Sequence, residues 1–324
     1  MNTIEIQKKY NTKKKCLDYL EKLKWPKVVT CTKCNSKDII RLKTQQGRFH
    51  CYDCKTTFSV LTDTIFEHTR LPLSKWFILI SYMLNAKRGI SANHLMRLTG
   101  VSYKTAWYIA MRVRCGMIDT CNILENIVEM DETYVGGKPR KRYKKGEEYT
   151  NISKMTDKRG RGTKKTPIVG IVERNGNIVL KVIQKLTAKN LLLMLKENVK
   201  TDNSIVVTDE FKSYVGFDKI VQHYTINHSK KQYVKGAMHL ATIEGFWSIV
   251  KGSIKGNYIV LSRKYLPFYL VQAQYIFNFR NYKGNLFEKY LKEALQHDNP
   301  MEYYKPLKSV KSIVYSKCKT GGRK

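Results

Sequence analysis

The chain has 324 residues, enough for a sizeable core and two or three domains, and its 42% hydrophobic content excludes global disorder. Sixty Lys and Arg against 26 Asp and Glu give a formal charge of +34 spread over the whole length, which points to a polyanionic partner: DNA, RNA or an anionic membrane surface. No apolar run approaches the roughly 20 residues that a bilayer crossing needs, and the opening MNTIEIQKKYNTKKK has no signal-peptide core, so an intracellular protein is expected.

The texture changes along the chain, and four segments follow from it: a cysteine-bearing segment with its N-terminal extension (1–66), a helical segment (67–118), an alternating strand and helix segment (123–284), and a basic C-terminal helix and tail (285–324). Cys31-Thr-Lys-Cys34 and Cys51-Tyr-Asp-Cys54 are two C-x-x-C pairs at the spacing of a four-cysteine zinc site. Two intervening residues let both thiolates of a tight turn reach one ion, and two such turns complete a tetrahedron. Disulfides do not suit a reducing compartment, and a redox C-x-x-C needs no second pair. Four thiolates leave no open coordination position, so one structural Zn²⁺ is expected; His50 reads as a surface histidine.

From Ser74 the chain reads SKWFILISYMLNAKRG, SANHLMRLTG and VSYKTAWYIAMRVRCGM. The first piece predicts an apolar helix ending at Gly89. Ser91 and Ser102 are N-caps for the next two, and Gly100 can take the left-handed conformation that closes the helix between them. Two helices joined through Gly-Val-Ser form a helix-turn-helix pattern, whose second helix enters the DNA major groove. Tyr103, Lys104 and Tyr108 are then expected to face DNA, with Arg112 and Arg114 near phosphates. A hairpin serving only as scaffold is the competing reading.

After Ile123 the order is strand (NIVEMDETYV), strand (TPIVGIVERNG), strand (NIVLKVIQ), helix (TAKNLLLMLKENV) and strand (SIVVTDEF). This order predicts an α/β, RNase H-like mixed sheet flanked by helices, with the ends of its first and fourth strands adjacent. Alternation puts Glu129 and Asp131 on one face and Glu132 on the other, without choosing between the first two. The repeated design of MDETY and TDEF picks Asp131 and Asp209, leaving Glu129 and Glu132 as neighbours. A site for two Mg²⁺ needs a further carboxylate, and HLATIEGFWSIVKGSIKG offers Glu244 on a helix, with Lys251 two turns later on the same face. Phe246 and Trp247 read as core, or as an aromatic for base stacking. Lys138 to Lys165, with twelve Lys or Arg and three acids, reads as a charged loop, either merely solvated or in contact with phosphates.

Together the cysteine ribbon, the helix-turn-helix, DETYVGGK, TDEFKSY, NHSKKQYVKG and IEGFWSIVKG resemble the bacterial insertion-sequence transposases that carry a zinc ribbon before a DDE nuclease domain, the ISXO2-like and Merlin-related group. The resemblance runs over about residues 15 to 282. It implies Asp131, Asp209 and Glu244 as ligands of two Mg²⁺ (or Mn²⁺), and Lys251 at a DNA phosphate. It also implies double-stranded DNA as partner (terminal inverted repeats and target), a homodimer or larger assembly on DNA, no membrane, and a cytoplasmic, nucleoid-associated location in a bacterium. One position departs: the family's usual Asn three residues before the Glu is Ala241. A catalytically silent, DNA-binding regulator is the rival reading that this departure allows.

Overall fold

The computed structural model describes residues 2–118, 123–136, 165–227, 234–236 and 238–296. The charged loop and the C-terminal tail lie outside these residues, apart from Lys165 at the loop's end. The chain divides into two compact units, residues 1–120 with 268–309 and residues 121–267 with 310–324. Among the described residues, no helix is long and apolar enough to cross a membrane.

The first unit opens with α1 (Thr3–Lys9), started by an Asn2–Glu5 capping box, and α2 (Lys13–Lys24), capped by Thr12. The ribbon follows as an antiparallel sheet of β1 (Ile39–Arg41), β2 (Arg48–Cys51) and β3 (Thr57–Ser59) in that spatial order. So small a sheet has little apolar core of its own: Cys31, Phe49, Cys51 and Phe58, with Trp25, Val29 and Ile39 packed against them. Three helices come next, α3 (Leu73–Asn85), α4 (Ala92–Thr99) and α5 (Tyr103–Cys115). Helix α3 ends four residues before Gly89, because Ala86 is already extended and the Asn85 amide donates back to the Ser81 carbonyl. Ser91 and Ser102 cap α4 and α5, and Gly100 between them has φ 65°. A residue with a Cβ would be strained at that turn.

The second unit is built on a five-stranded sheet. Its strands are β4 (Leu124–Val135), β5 (Thr166–Glu173), β6 (Ile178–Val182), then, after α6 (Ala188–Asn198), β7 (Val199–Asp209) and β8 (Gln222–Ile226). The spatial order is β6-β5-β4-β7-β8, with the first three antiparallel and β7 and β8 parallel to β4. This is the RNase H-like arrangement, with β4 at its centre. A short pair, β9 (Val234–Lys235) and β10 (Met238–His239), leads into α7 (Ala241–Ser253).

Alternation along the strands divides the two faces. Val128, Met130, Val169 and Ile171 pack on Leu191, Met194 and Leu195 of α6, and on Tyr214 and Phe217. On the other face Gly170 admits α7: a Cβ there would lie 2.8 Å from the Trp247 ring and 2.9 Å from Ile243 Cδ1. Gly170 is the register partner of Asp131, so this close approach fixes the level at which α7 crosses the sheet.

The chain then returns to the first unit. From Phe268 onward α8 (Leu266–Asn278) belongs there, with α9 (Leu286–Gln296). The packing explains this placement, which differs from a boundary at residue 284: the Gln272 amide donates to the Met83 carbonyl, and Tyr290 Oη donates to the Val113 carbonyl. Replacing Gly170 by Val is expected to destabilise the protein by about 1–3 kcal/mol through overpacking against Trp247. Denaturant unfolding of G170V beside the wild type measures this loss.

Candidate active site

β4 and β7 run parallel with Ile127 opposite Ile205, Val128 opposite Val206 and Glu129 opposite Val207. Continuing that register by two residues brings Asp131 level with Asp209 at the end of β7. Carboxylate oxygens of Asp131, Glu132 and Asp209 lie within 4.8 Å of one another. Glu132 points from the opposite face of β4, but the β7 pairing stops at Glu129, so both side chains can turn around an open strand edge.

Each carboxylate has an orienting donor. Trp247 Nε1 donates to Asp131 Oδ2 at 3.0 Å, Tyr214 Oη to Glu132 Oε2 at 2.9 Å, and the Phe211 amide to Asp209 Oδ1 at 3.0 Å. Burial and then the Glu132 charge push the Asp131 carboxyl up to about 7; a backbone hydrogen bond at Glu132 opposes them, the Asp209 charge adds a smaller upward push, and the Trp247 hydrogen bond opposes least. Hard oxygen donors crowded in this way fit a divalent cation of the Mg²⁺ class, whose charge would relieve the repulsion.

Glu129 has a different task. It is fully buried, and its Oε2 accepts from the backbone amides of Thr242 (2.9 Å) and Ile243 (3.0 Å). Its Oε1 accepts from Thr242 Oγ1 (2.8 Å) and from Arg174 Nε (3.3 Å) and Nη2 (3.2 Å). Leu240, at the N-cap of α7, offers no side-chain cap, so a strand residue distant in sequence supplies it. A carboxylate at a helix N-terminus gains from both the free amides and the helix dipole.

Helix α7 also carries Glu244, exposed in its first turn and one turn before Trp247. Among the described residues the clustered acids are Asp131, Glu132 and Asp209, and Glu244 is outside that group. Lys251 is exposed further along the same helix.

In the ribbon, Cys31 Sγ lies 3.6 Å from Cys54 Sγ, and Cys34 Sγ lies 3.6 Å from Cys51 Sγ. Zinc–sulfur bonds of about 2.3 Å in a tetrahedron separate the sulfurs by roughly 3.8 Å, so the four thiols fit structural Zn²⁺.

Residues 123–278 match the model of the ISXO2-like transposase domain, and residues 11–57 match that of the transposase zinc-ribbon domain. The chain belongs to the ISXO2-like DDE transposases with a zinc ribbon. A Halobacterium salinarum relative, described as an uncharacterized protein in transposable element ISH50, is 27% identical over 254 residues, 75% of this chain and 84% of that one. Among solved structures, the simian T-cell lymphotropic virus intasome in complex with PP2A regulatory subunit B56 gamma aligns over 60% of this chain and 66% of that chain, at 13% identity and TM-score 0.29. The Mos1 strand transfer complex aligns over 74% and 79%, at 14% identity and TM-score 0.29.

In this transposase the helix-turn-helix residues separate into two groups. Tyr103 and Lys104 are exposed at the start of α5, and Tyr108 is half-buried. Arg112 and Arg114, expected near phosphates, are instead interior, each 2% exposed. Arg112 donates to the carbonyls of Glu67 (2.7 Å) and Thr64 (3.2 Å), while Arg114 donates to Gln272 Oε1 (2.9 Å) and stacks on Tyr269. Two residues apart, they leave α5 in nearly opposite directions, but every residue from Ile109 to Cys115 is buried, so each guanidinium meets interior partners: carbonyls for Arg112, an amide oxygen and an aromatic face for Arg114.

Sequence reasoning missed three contributors: Glu132 as a clustered acid, Glu129 as the cap of α7, and Trp247 as a hydrogen-bond donor. Trp247 is 3% exposed, with its ring against the site of Gly170, which leaves it unsuited to base stacking. Its EGFW context, three residues after Glu244, was the available signal.

The raised Asp131 carboxyl gives a pH dependence with a defined sign. Between the ordinary value of 3.8 and about 7 the unfolded chain has lost this proton while the folded chain keeps it, so the contribution to stability falls as pH rises through that window. In buffer free of Mg²⁺ and Mn²⁺, denaturant unfolding at pH 5 and pH 8 is expected to show a smaller loss in Asp131→Asn than in wild type.

Proposed function

We propose that this transposase binds the ends of its element and cuts and joins DNA strands at the carboxylate cluster. The observation that carries the reading is Asp131 level with Asp209 on adjacent parallel strands, with Glu132 in the same group, within a chain of charge +34. Acids so placed in so basic a protein are suited to hold cations against phosphates that the surrounding charge attracts.

Asp131 and Asp209 are the proposed central ligands of Mg²⁺ or Mn²⁺, with Glu132 beside them and Glu244 supplied from α7. Two such ions, when bound, lower the pKa of a water or 3′-hydroxyl nucleophile and neutralise the leaving oxygen of an in-line displacement. The chain's own residues fix the geometry. Trp247, Tyr214 and the Phe211 amide each hold one carboxylate by a hydrogen bond, and Glu129 holds the helix that carries Glu244 and Lys251. Lys251 is proposed to meet a phosphate of the bound strand. Tyr103, Lys104 and Tyr108 are proposed to face the DNA from α5, and the zinc-loaded ribbon adds a second DNA-binding element. Two copies would hold two ends together.

A second reading rests on Ala241. In it the chain binds DNA as a regulator and the acid cluster is silent. Ala241 is exposed at the start of α7, and its amide donates to His239 Nδ1.

Incubation of purified protein with duplexes from the DNA flanking its coding sequence, with Mg²⁺ or Mn²⁺, separates the two readings. Metal-dependent nicking is expected, and Asp131→Asn or Asp209→Asn should each lower it by about a thousandfold or more, the equivalent of several kcal/mol of charge stabilisation. Wild-type activity in either variant would sink the assignment, and duplex binding without nicking would favour the regulator.

A further inference from the structure

Past its thirteen α-helical residues α7 continues as a π-helical turn, Ile254–Tyr258, closed by the Ile259 amide on the Ile254 carbonyl at 2.6 Å. Ile259 then has φ 61° and ψ −60°, and the Val260 amide donates across it to the Tyr258 carbonyl at 2.6 Å. This is a γ-turn of the rare positive-φ kind, centred on a β-branched residue for which positive φ is strained. Strain of this sort persists where surrounding structure imposes it and gathers at functional segments, as do π-turns within helices.

The turn presents apolar side chains to solvent. Ile259 is 76% exposed and Val260 is 72% exposed, side by side in sequence at the tip. The chain on either side of it is cationic: Lys251, Lys255, Arg263 and Lys264 are all exposed, with Arg263 Nε donating to Thr166 Oγ1, and no Asp or Glu occurs in the sequence between Glu244 and Glu288. A docking site for another protein would gain little from flanks of a single charge sign. Bare branched side chains between cationic flanks match a nucleic acid, with phosphates for the cations and a base step for the apolar tip.

We propose that Ile259 and Val260 form a wedge that enters the base stack of the DNA held at the carboxylate cluster, with the flanking Lys and Arg on the adjacent phosphates. The proposal rests on the DNA-cutting reading given above. Fifteen residues of helix, at about 1.5 Å each, set the wedge roughly 20 Å from Glu244, about six base steps along a strand. Unstacking a step at that distance would kink the duplex at the wedge and hold its end in register with the acids.

The test binds full-length protein, in Ca²⁺ to prevent cutting, to duplexes from the DNA flanking its coding sequence, and probes thymines with permanganate, which oxidises unstacked rings. Wild type is expected to give a focal reactive step. I259S/V260S should lose it while binding the duplex within about tenfold of wild type, since phosphate contacts carry most of the affinity. I259M/V260M keeps the apolar bulk and should keep the reactivity, which separates wedging from folding. Unchanged reactivity in I259S/V260S with the duplex bound overturns the wedge alone. So does a shift from dimer to monomer in that variant with the reactivity intact, which would mark a surface for a second copy. Absence of duplex binding by wild type overturns the wedge together with the DNA-cutting reading.

Discussion

One buried carboxylate ties the second unit together. Glu129 lies in the middle of the central strand, yet its oxygens are taken up by the first turn of α7, by Thr242 Oγ1 and by Arg174. A charge in the interior is costly unless it is fully paired, and here two helix amides, a hydroxyl and a guanidinium provide the pairing. The result is positional. Helix α7 can begin at only one place on β4, and from there Ile243 and Trp247 fall over Gly170 and the Trp247 N–H falls on Asp131. The site acids belong to strands and helix that this one group holds in register.

The carboxylates on β4 differ by what surrounds them. Glu129 is matched by donors, whereas Asp131 faces Glu132 and Asp209 and holds its proton up to about 7. The first has what a structural charge needs; the second has what a cation-binding site needs before the cation arrives. The basic residues divide likewise. Arg112, Arg114 and Arg174 are built into the units, while Lys104, Lys251, Lys255, Arg263 and Lys264 remain at the surface. Only the exposed set can contribute directly to attracting phosphate, so the formal charge overstates the binding surface.

Much of this was legible in the chain. Cysteine spacing carries the ribbon because zinc geometry is strict, and the Ser91, Gly100 and Ser102 signals carry the helix-turn-helix because caps and left-handed turns are local chemistry. The Asp131 and Asp209 pairing followed from topology. Less legible were features made by contacts across long separations. Nothing near Glu129 announces a helix 113 residues later. Alternation correctly assigns Glu132 to the other face, but it does not reveal that the β4–β7 pairing stops at Glu129 and leaves room for the side chain to come round. Arg112 and Arg114 looked like DNA contacts because charge suggests solvent, and their carbonyl partners at Glu67 and Thr64 and their amide partner Gln272 lie outside the helix.

Acids from β4 and β7, with the first turn of α7 locked beside them, are proposed to make one divalent-cation site. Loading the protein with Fe²⁺ and adding ascorbate and peroxide cuts the backbone near bound metal. Cuts are expected around residues 131–132 and 209 and at the start of α7, suppressed by excess Mg²⁺, with the α7 cuts alone lost or spread in Glu129→Ala. Cutting confined to the ribbon, or absent from the ends of β4 and β7, would contradict the proposed site.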